Sequence, residues 1–301
     1  MRIGVDLGGT KIEAAAVDRD GRILCRHRVT TPRDDYRGTL EAIARLVGRV
    51  EREIGERVPV GVGMPGTISP ATGLVKNANS VWLNGRPLDR DLEELLGRPV
   101  RFANDANCFA LSEARGGAAS GARVVFGVIV GTGTGGGIVV DGKVLTGPNA
   151  IAGEWGHNPL PWPAPCELPG PLCYCGHHGC IETFLSGPGL ARDHEAAAGE
   201  LVAPVDIERR AAQGDPAAHD SLARYEDRMA RSLATVMNIL DPDVVVLGGG
   251  MSKLARLYEN VPRRWGRYLF TDRVDTKLVP PAFGDSSGVR GAACLWDQVP
   301  R

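Results

Sequence analysis

Cys173, Cys175 and Cys180, in the stretch CYCGHHGCIE, form a C-x-C-x4-C pattern. Thiolates at this spacing on a tight loop can occupy three corners of a zinc tetrahedron. The pattern lacks the C-x-x-C pair of a redox motif and has no thioredoxin-like strand and helix around it. The fourth ligand has several candidates. His177 and His178 lie inside the loop but would close small, strained rings. His157, in GEWGHNPL, stands sixteen residues before Cys173, and Cys166 is a further candidate.

Three glycine turns form a second set. DLGGTK contains Gly8, Gly9, Thr10 and Lys11, and glycines let a backbone come close to a phosphate while turn N–H groups cradle it. Thr10 adds a hydroxyl and Lys11 a cation. Asp6, at the strand end, can hold a divalent cation through water. A plain hairpin turn needs the same glycines. GTGTGGG brings Gly131, Thr132 and Gly133. It is not a P-loop, since no Gly-Lys-Ser/Thr follows, nor a dinucleotide fingerprint, since a strand follows rather than a helix. Gly248 and Gly249, in GGG after a buried strand, suit either an adenosine contact or a strand-to-helix turn. Asn104 and Asp105, in ANDANC, suit a helix cap, yet a carboxylate at a strand end also suits a general base. Phosphoryl transfer needs a positioned alcohol, a base and electrostatic clamps on the phosphate.

These residues need elements to position them. RIGVDLGG reads as a buried strand entering a glycine turn, followed by two strands around a turn at Asp20 and Gly21. Residues 124–145 repeat that plan, with a turn at Asp141 and Gly142. Two such units predict a duplicated α/β fold with a cleft between the halves. Helical spacing marks Leu40–Glu53 with Gly55 as its stop, Ala106–Ala119, and a long amphipathic helix within 215–240 ending at Asp241-Pro242. DVVVLGGG reads as a buried strand and SSGVRGAACLW as a last helix. Residues 158–172 are proline-rich and irregular.

Composition narrows the class. The 301 residues are 43% hydrophobic and 24% charged, ordinary for a globular protein with a sizeable core. A net charge of −1, spread along the chain, argues against a nucleic-acid binder. No apolar run is long enough to span a membrane, and MRIGVDLGGTK does not resemble a signal peptide. Cytoplasmic location is expected. There the seven cysteines are an odd number in a compartment that disfavours disulfides.

DLGGTK, ANDANC, GTGTGGG, GEWGH and CYCGHHGCIE occur together and in order, over essentially the whole chain. This arrangement resembles the ROK family of bacterial sugar kinases and sugar-responsive repressors. The resemblance implies two actin-like, ribonuclease H-like α/β domains with ATP and sugar in the cleft. The expected domains are 1–117 with 287–301, and 118–286 carrying the zinc loop. The resemblance also implies a structural zinc held by His157, Cys173, Cys175 and Cys180, pinning a loop that presents Glu182 to the sugar, with Glu154 arriving from its other side. Taken alone, Glu154 and Glu182 would read as solvated charges. Asn104 and His157 would also touch the sugar, Asp105 would be the general base, and Mg-ATP the phosphoryl donor.

TPRDDY, VKNANSVWLNG, GEWGHNPLPW and GDSSGVRGAA look most like the fructokinase (manno-fructokinase) branch. N-acetylglucosamine kinases are similar but usually lack the NSVWLNG segment. The family's repressors carry a winged-helix domain ahead of the first glycine turn, and Asp6 leaves no room for one. A sugar-sensing regulator without catalysis would show a damaged Asp105 or broken turns, and both are intact. The expectation is therefore a homodimeric ATP-dependent kinase making fructose 6-phosphate, with N-acetylglucosamine, mannose or glucose as alternative hexoses.

Overall fold

A computed structural model describes residues 1–298. Residues 299–301, which end the first expected domain, lie outside the described residues. The chain divides into two compact units, Met1–Gly121 with Gly137–Ala152 and Ala282–Arg301, and Ala122–Gly136 with Gly153–Pro281.

Unit 1 opens with β1 (Arg2–Leu7), β2 (Lys11–Val17) and β3 (Ile23–Thr30), an antiparallel meander. Then come α1 (Tyr36–Ile54), β4 (Val60–Met64), a short hairpin of β5 (Thr67–Ile68) and β6 (Val75–Lys76), α2 (Leu88–Leu96), β7 (Val100–Asn104) and α3 (Asp105–Gly116). The sheet order is β3-β2-β1-β4-β7, with β1, β4 and β7 parallel. Leu40, Ile43, Leu46, Val47 and Val50 form the buried stripe of α1. That helix begins four residues before Leu40, because the Asp35 side chain accepts from Gly38 N–H and caps it. Gly55, at φ 74°, ends it as the sequence suggests.

Unit 2 contains β8 (Val124–Val130) and the first three residues of β9 (Thr134–Val140); the rest of β9, with β10 (Lys143–Val144), belongs to unit 1. Unit 2 continues with α4 (Ile181–Leu185), α5 (Gly187–Ala198), α6 (Pro204–Ala212), α7 (Pro216–Leu240), β11 (Val244–Gly248), α8 (Leu257–Trp265) and β12 (Lys277–Val279). The second sheet runs β10-β9-β8-β11-β12, with β8, β11 and β12 parallel. The long predicted helix is α7, capped by the Asp215 side chain and stopped at Asp241, φ 46°. Its stripe Leu222, Tyr225, Met229 and Leu233 is fully buried.

The last helix, α9 (Ser287–Cys294), returns to unit 1 and packs on β1, β4 and α3. Its approach requires glycine. A Cβ at Gly4 would lie 1.8 Å from the Val289 carbonyl oxygen, and one at Gly291 would lie 1.7 Å from that of Cys108. The fully buried Glu113 ties the two helices together, accepting from Ser287 Oγ at 2.7 Å and Ala282 N–H at 3.0 Å.

The proline-rich loop is irregular, as expected, but firmly held. Arg231 Nη2 donates to Glu167 at 2.6 and 2.7 Å, and Arg228 Nε donates to it at 2.7 Å. Arg231 Nη1 also caps the Pro161 and Trp162 carbonyls at 3.0 and 2.6 Å. Burial pushes the Glu167 carboxyl up, and the two guanidiniums more than offset it, leaving it below the ordinary value.

Candidate active site

In unit 1 the register of parallel strands sets the geometry. Asp6 on β1 lies opposite Gly63 on β4, and Gly63 opposite Ala103 on β7. Asp6, Asn104 and Asp105 therefore stand at one edge, the carboxyl ends of parallel strands, where open α/β sheets bind ligands. Asn104 caps α3: its Oδ1 accepts from Ala106 N–H at 2.9 Å and its Nδ2 donates to the Gly66 carbonyl at 3.1 Å. Asp105 is the first helical residue, and its Oδ1 accepts from the same Ala106 N–H at 2.8 Å.

The two aspartates feel each other. Burial, then the charges of Asp105 and Glu13, push the Asp6 carboxyl from 3.8 to about 7, against the opposing pull of Lys11 and Arg28. Such a crowded acidic edge favours a bound cation. Glu13 itself is buried and paired with Arg28. The Gly8–Lys11 turn is closed by Gly8 N–H donating to the Lys11 carbonyl at 3.0 Å and braced by Thr31 Oγ1 on the Gly8 carbonyl at 2.7 Å. Thr10 and Lys11 are exposed.

In unit 2, His157, Cys173, Cys175 and Cys180 bring their ligand atoms within 4.8 Å of one another. Cys173 Sγ lies 3.6 Å from His157 Nδ1, and Cys175 Sγ lies 3.6 Å from Cys180 Sγ. Tetrahedral zinc, with bonds of about 2.3 Å to sulfur and 2.0–2.1 Å to nitrogen, spaces its donors by about 3.5–3.8 Å. The donor set and spacing fit zinc. Cys175 is the most acidic of the thiols: a backbone hydrogen bond at His177 heads the causes that lower it to about 7. Burial pushes Cys180 up to about 12. Cys166 is exposed and lies outside the cluster, while His178 Nδ1 pairs with the Gly170 carbonyl at 3.0 Å.

Glu182 joins this loop to the second glycine turn. Its Oε2 accepts from Thr134 N–H at 2.8 Å, its Oε1 lies 4.0 Å from Cys173 Sγ, and a Cβ at Gly133 would come within 2.6 Å of Oε2. Glu154 precedes a 3-10 turn, Trp155–His157, that is fastened by Trp155 Nε1 on the Gly135 carbonyl at 3.2 Å. The turn at Gly131 meets two other backbone segments. Gly187 N–H donates to the Gly131 carbonyl at 2.8 Å, and Gly250 N lies 4.0 Å from a Cβ built at Gly131. Gly249, at φ 79°, packs so close to Val130 that a Cβ there would lie 2.3 Å from its carbonyl oxygen.

Two contributors escape sequence reasoning. Tyr174, 69% exposed, places its hydroxyl 3.0 Å from His157 Nε2, with the two rings edge to face at 5.1 Å. Its only sequence signal is its place between two ligand cysteines. The Ser186–Gly187 start of α5, beside the Gly131 turn, is signalled by no more than the glycines and proline of SGPG.

The chain matches the ROK family over residues 2–299. It is 42% identical to the N-acetyl-D-glucosamine kinase of Vibrio cholerae, covering 98% of this chain and 99% of that one. Among solved structures it resembles the ROK hexokinase of Thermus thermophilus, with 36% identity, TM-score 0.86 and coverage of 97% and 96%. It also resembles a ROK glucokinase of Streptomyces griseus solved with glucose and AMPPNP, with 31% identity, TM-score 0.79 and coverage of 98% of both chains. The chain belongs to the ROK family, with its two-domain actin-like α/β fold, and stands among that family's sugar kinases.

The relatives found do not support the expected fructokinase branch. Relatives at 42% and 40% identity over 98% of the chain are N-acetyl-D-glucosamine kinases. The segment that suggested fructokinase is used for packing. Leu83 is fully buried, Trp82 Nε1 donates to Thr39 Oγ1 at 3.3 Å, and Asn84 makes two 2.9 Å bonds with the Ala78 backbone. Residues occupied in this way carry little information about the sugar. Among the described residues, no helix is long and apolar enough to cross a membrane.

Proposed function

We propose that this chain phosphorylates N-acetyl-D-glucosamine on its 6-hydroxyl, using Mg-ATP. The reading rests on the full-length likeness to the Vibrio cholerae N-acetyl-D-glucosamine kinase. Asp105 accepts the proton of the 6-hydroxyl as its oxygen attacks the γ-phosphate. The Gly8 and Gly131 N–H groups close their own turns, and the remaining amides of Gly8–Lys11 and Gly131–Gly133 cradle the phosphates, where negative charge spreads during transfer. Gly248 and Gly249 take the adenosine side. Asp6 would hold Mg2+ through water, and that cation would neutralise phosphate charge and the crowding beside Asp105.

Asn104, Asp105, Glu154, His157 and Glu182 form the sugar-binding set. Carboxylates suit hydroxyls because each oxygen accepts with fixed direction. Glu182 keeps Oε2 on Thr134 N–H and offers Oε1. Zinc, held by His157, Cys173, Cys175 and Cys180, would stiffen the loop that carries these groups.

The test is ADP release with Mg-ATP against N-acetyl-D-glucosamine, glucose, mannose and fructose, for wild type and Asp105→Asn. We expect N-acetyl-D-glucosamine to give the highest kcat/KM, and Asp105→Asn to lower kcat by about 10²–10⁴-fold. A preference for glucose would move the assignment toward the hexokinase and glucokinase relatives. Unchanged turnover in Asp105→Asn would remove Asp105 as the base.

A further inference from the structure

A second set of metal-type donors lies in unit 1, on the edge strand β3. The strand alternates. Arg26 and Arg28 face Glu13, while Cys25 and His27 are the more buried residues, on the face covered by α1. From the last turn of α1, Glu53 reaches His27, with its Oε2 2.6 Å from Nε2. The Cys25 thiol completes the group, and one donor atom from each residue lies within 4.8 Å of the other two. The side chain of His27 is 17% exposed and that of Glu53 is 50% exposed, so the group is open to solvent on the Glu53 side.

Thiolate, imidazole and carboxylate are the ligands of three-coordinate protein sites for zinc, in which water fills the fourth position. Position adds an independent reason for a cation. Glu53 sits at the carboxyl end of α1, where the helix dipole opposes a carboxylate and favours positive charge. The simplest reading of this contact is the His27–Glu53 hydrogen bond alone. That pair leaves unexplained why a soft thiol shares the same few ångströms.

We propose that Cys25, His27 and Glu53 form a second, solvent-open site for Zn2+ or a cation of similar softness, weaker than the cysteine-loop site. Binding would release the Cys25 thiol proton, move the proton of the His27–Glu53 hydrogen bond to His27 Nδ1 or to solvent, and replace that bond by two metal bonds, one from each partner. It would also fasten the outermost strand of the sheet to the end of α1, protecting an edge that otherwise offers unpaired backbone groups.

The experiment is a Co2+ titration of the metal-stripped full-length chain under reducing conditions, read by visible absorption and total bound metal. The expected result is two equivalents, the first tighter. Cys25→Ser, His27→Gln and Glu53→Gln should each weaken only the second equivalent. The loss should be no less than the roughly ten- to hundredfold that a mere outer partner costs. Cys175→Ala should weaken only the first, which keeps the two sites apart and also separates this proposal from the sugar assignment. Melting of each stripped variant checks that it folds, and Glu53→Gln, on an exposed side chain, is the variant least able to unfold the chain. A single equivalent in wild type overturns the proposal if it survives all three unit 1 substitutions. So does a second equivalent indifferent to all three.

Discussion

The acidic edge of unit 1 and the cysteine loop of unit 2 hold their functional groups in opposite ways. Asp6, Asn104 and Asp105 stand on regular strands and a helix start, so ladder register and one cap fix them. His157 and the cysteines stand on turns and irregular chain, where no ladder sets direction, and Glu182 stands in the first turn of the five-residue α4. That loop is held by cross-links instead: the donor cluster, the Glu167–Arg228–Arg231 group and Glu182 on Thr134. Regular structure positions a group through many weak repeats, whereas irregular structure depends on a few strong contacts. Single substitutions should therefore disturb unit 2 more broadly than unit 1.

The largest effect should come from Cys175→Ala. Structural zinc contributes an apparent 10–16 kcal/mol in small zinc modules, roughly, and losing one of four ligands forfeits much of it. Bound metal should fall well below one per chain and sugar KM should rise. Stoichiometric zinc in the purified variant would mean that the ligand set is wrong. Next is Glu167→Ala, which removes the shared carboxylate from two buried guanidiniums that keep Asp193 and the Pro161 and Trp162 carbonyls, and should destabilise by about 2–3 kcal/mol, read by urea unfolding. A change under 1 kcal/mol would show that the loop does not depend on this group.

Tyr174→Phe is smaller and more selective. Zinc on Nδ1 would leave the ring proton on Nε2, and the Tyr174 hydroxyl would accept it until a sugar takes its place. Removing that hydroxyl should weaken zinc about 10- to 100-fold against a competing chelator while leaving the stripped chain's melting unchanged. Equal zinc affinity in both proteins would reduce Tyr174 to packing.

The effect smallest per step, at most about 1.4 kcal/mol for each pH unit, tests unit 1. Asp6 titrates near pH 7 folded, against 3.8 when unperturbed. Between those values the folded chain holds a proton that the unfolded chain has lost. Stability should thus fall as pH rises through that window, by up to about 1.4 kcal/mol per unit, and level off above it. Asp6→Asn should flatten this slope. Parallel wild-type and variant curves from pH 4.5 to 8 would show that Asp6 is not the group responsible.

Unit 1 was the more legible of the two in sequence. Glycine turns, alternating apolar strands and the Asn104–Asp105 strand end are local patterns, and local patterns survive in a linear reading. The start of α1 was missed because its cap, Asp35, lies outside the apolar stripe. In unit 2 the cysteine spacing was visible, but its supports were not. Glu167 meets Arg228 and Arg231 across more than sixty residues, with nothing local to announce the pairing. Tyr174 carries no sequence pattern beyond its place between two cysteines. The NSVWLNG segment points to fructokinases whereas the relatives found are N-acetyl-D-glucosamine kinases, and a packing motif and a specificity motif look alike until their neighbours are known.

The contact between Gly4 and Val289 also has a bearing on biosynthesis. A ribosome releases β1 before unit 2 and α9 after it, so α1 can cover one face of β1 early while the other face stays open until α9 is in place. Every segment of unit 2 emerges before residue 282. During translation, therefore, unit 2 has all its sequence available while unit 1 waits with one sheet face open. A nascent chain stalled before residue 287 should expose the α9-facing side of β1 and β4 to chaperones or to proteolysis.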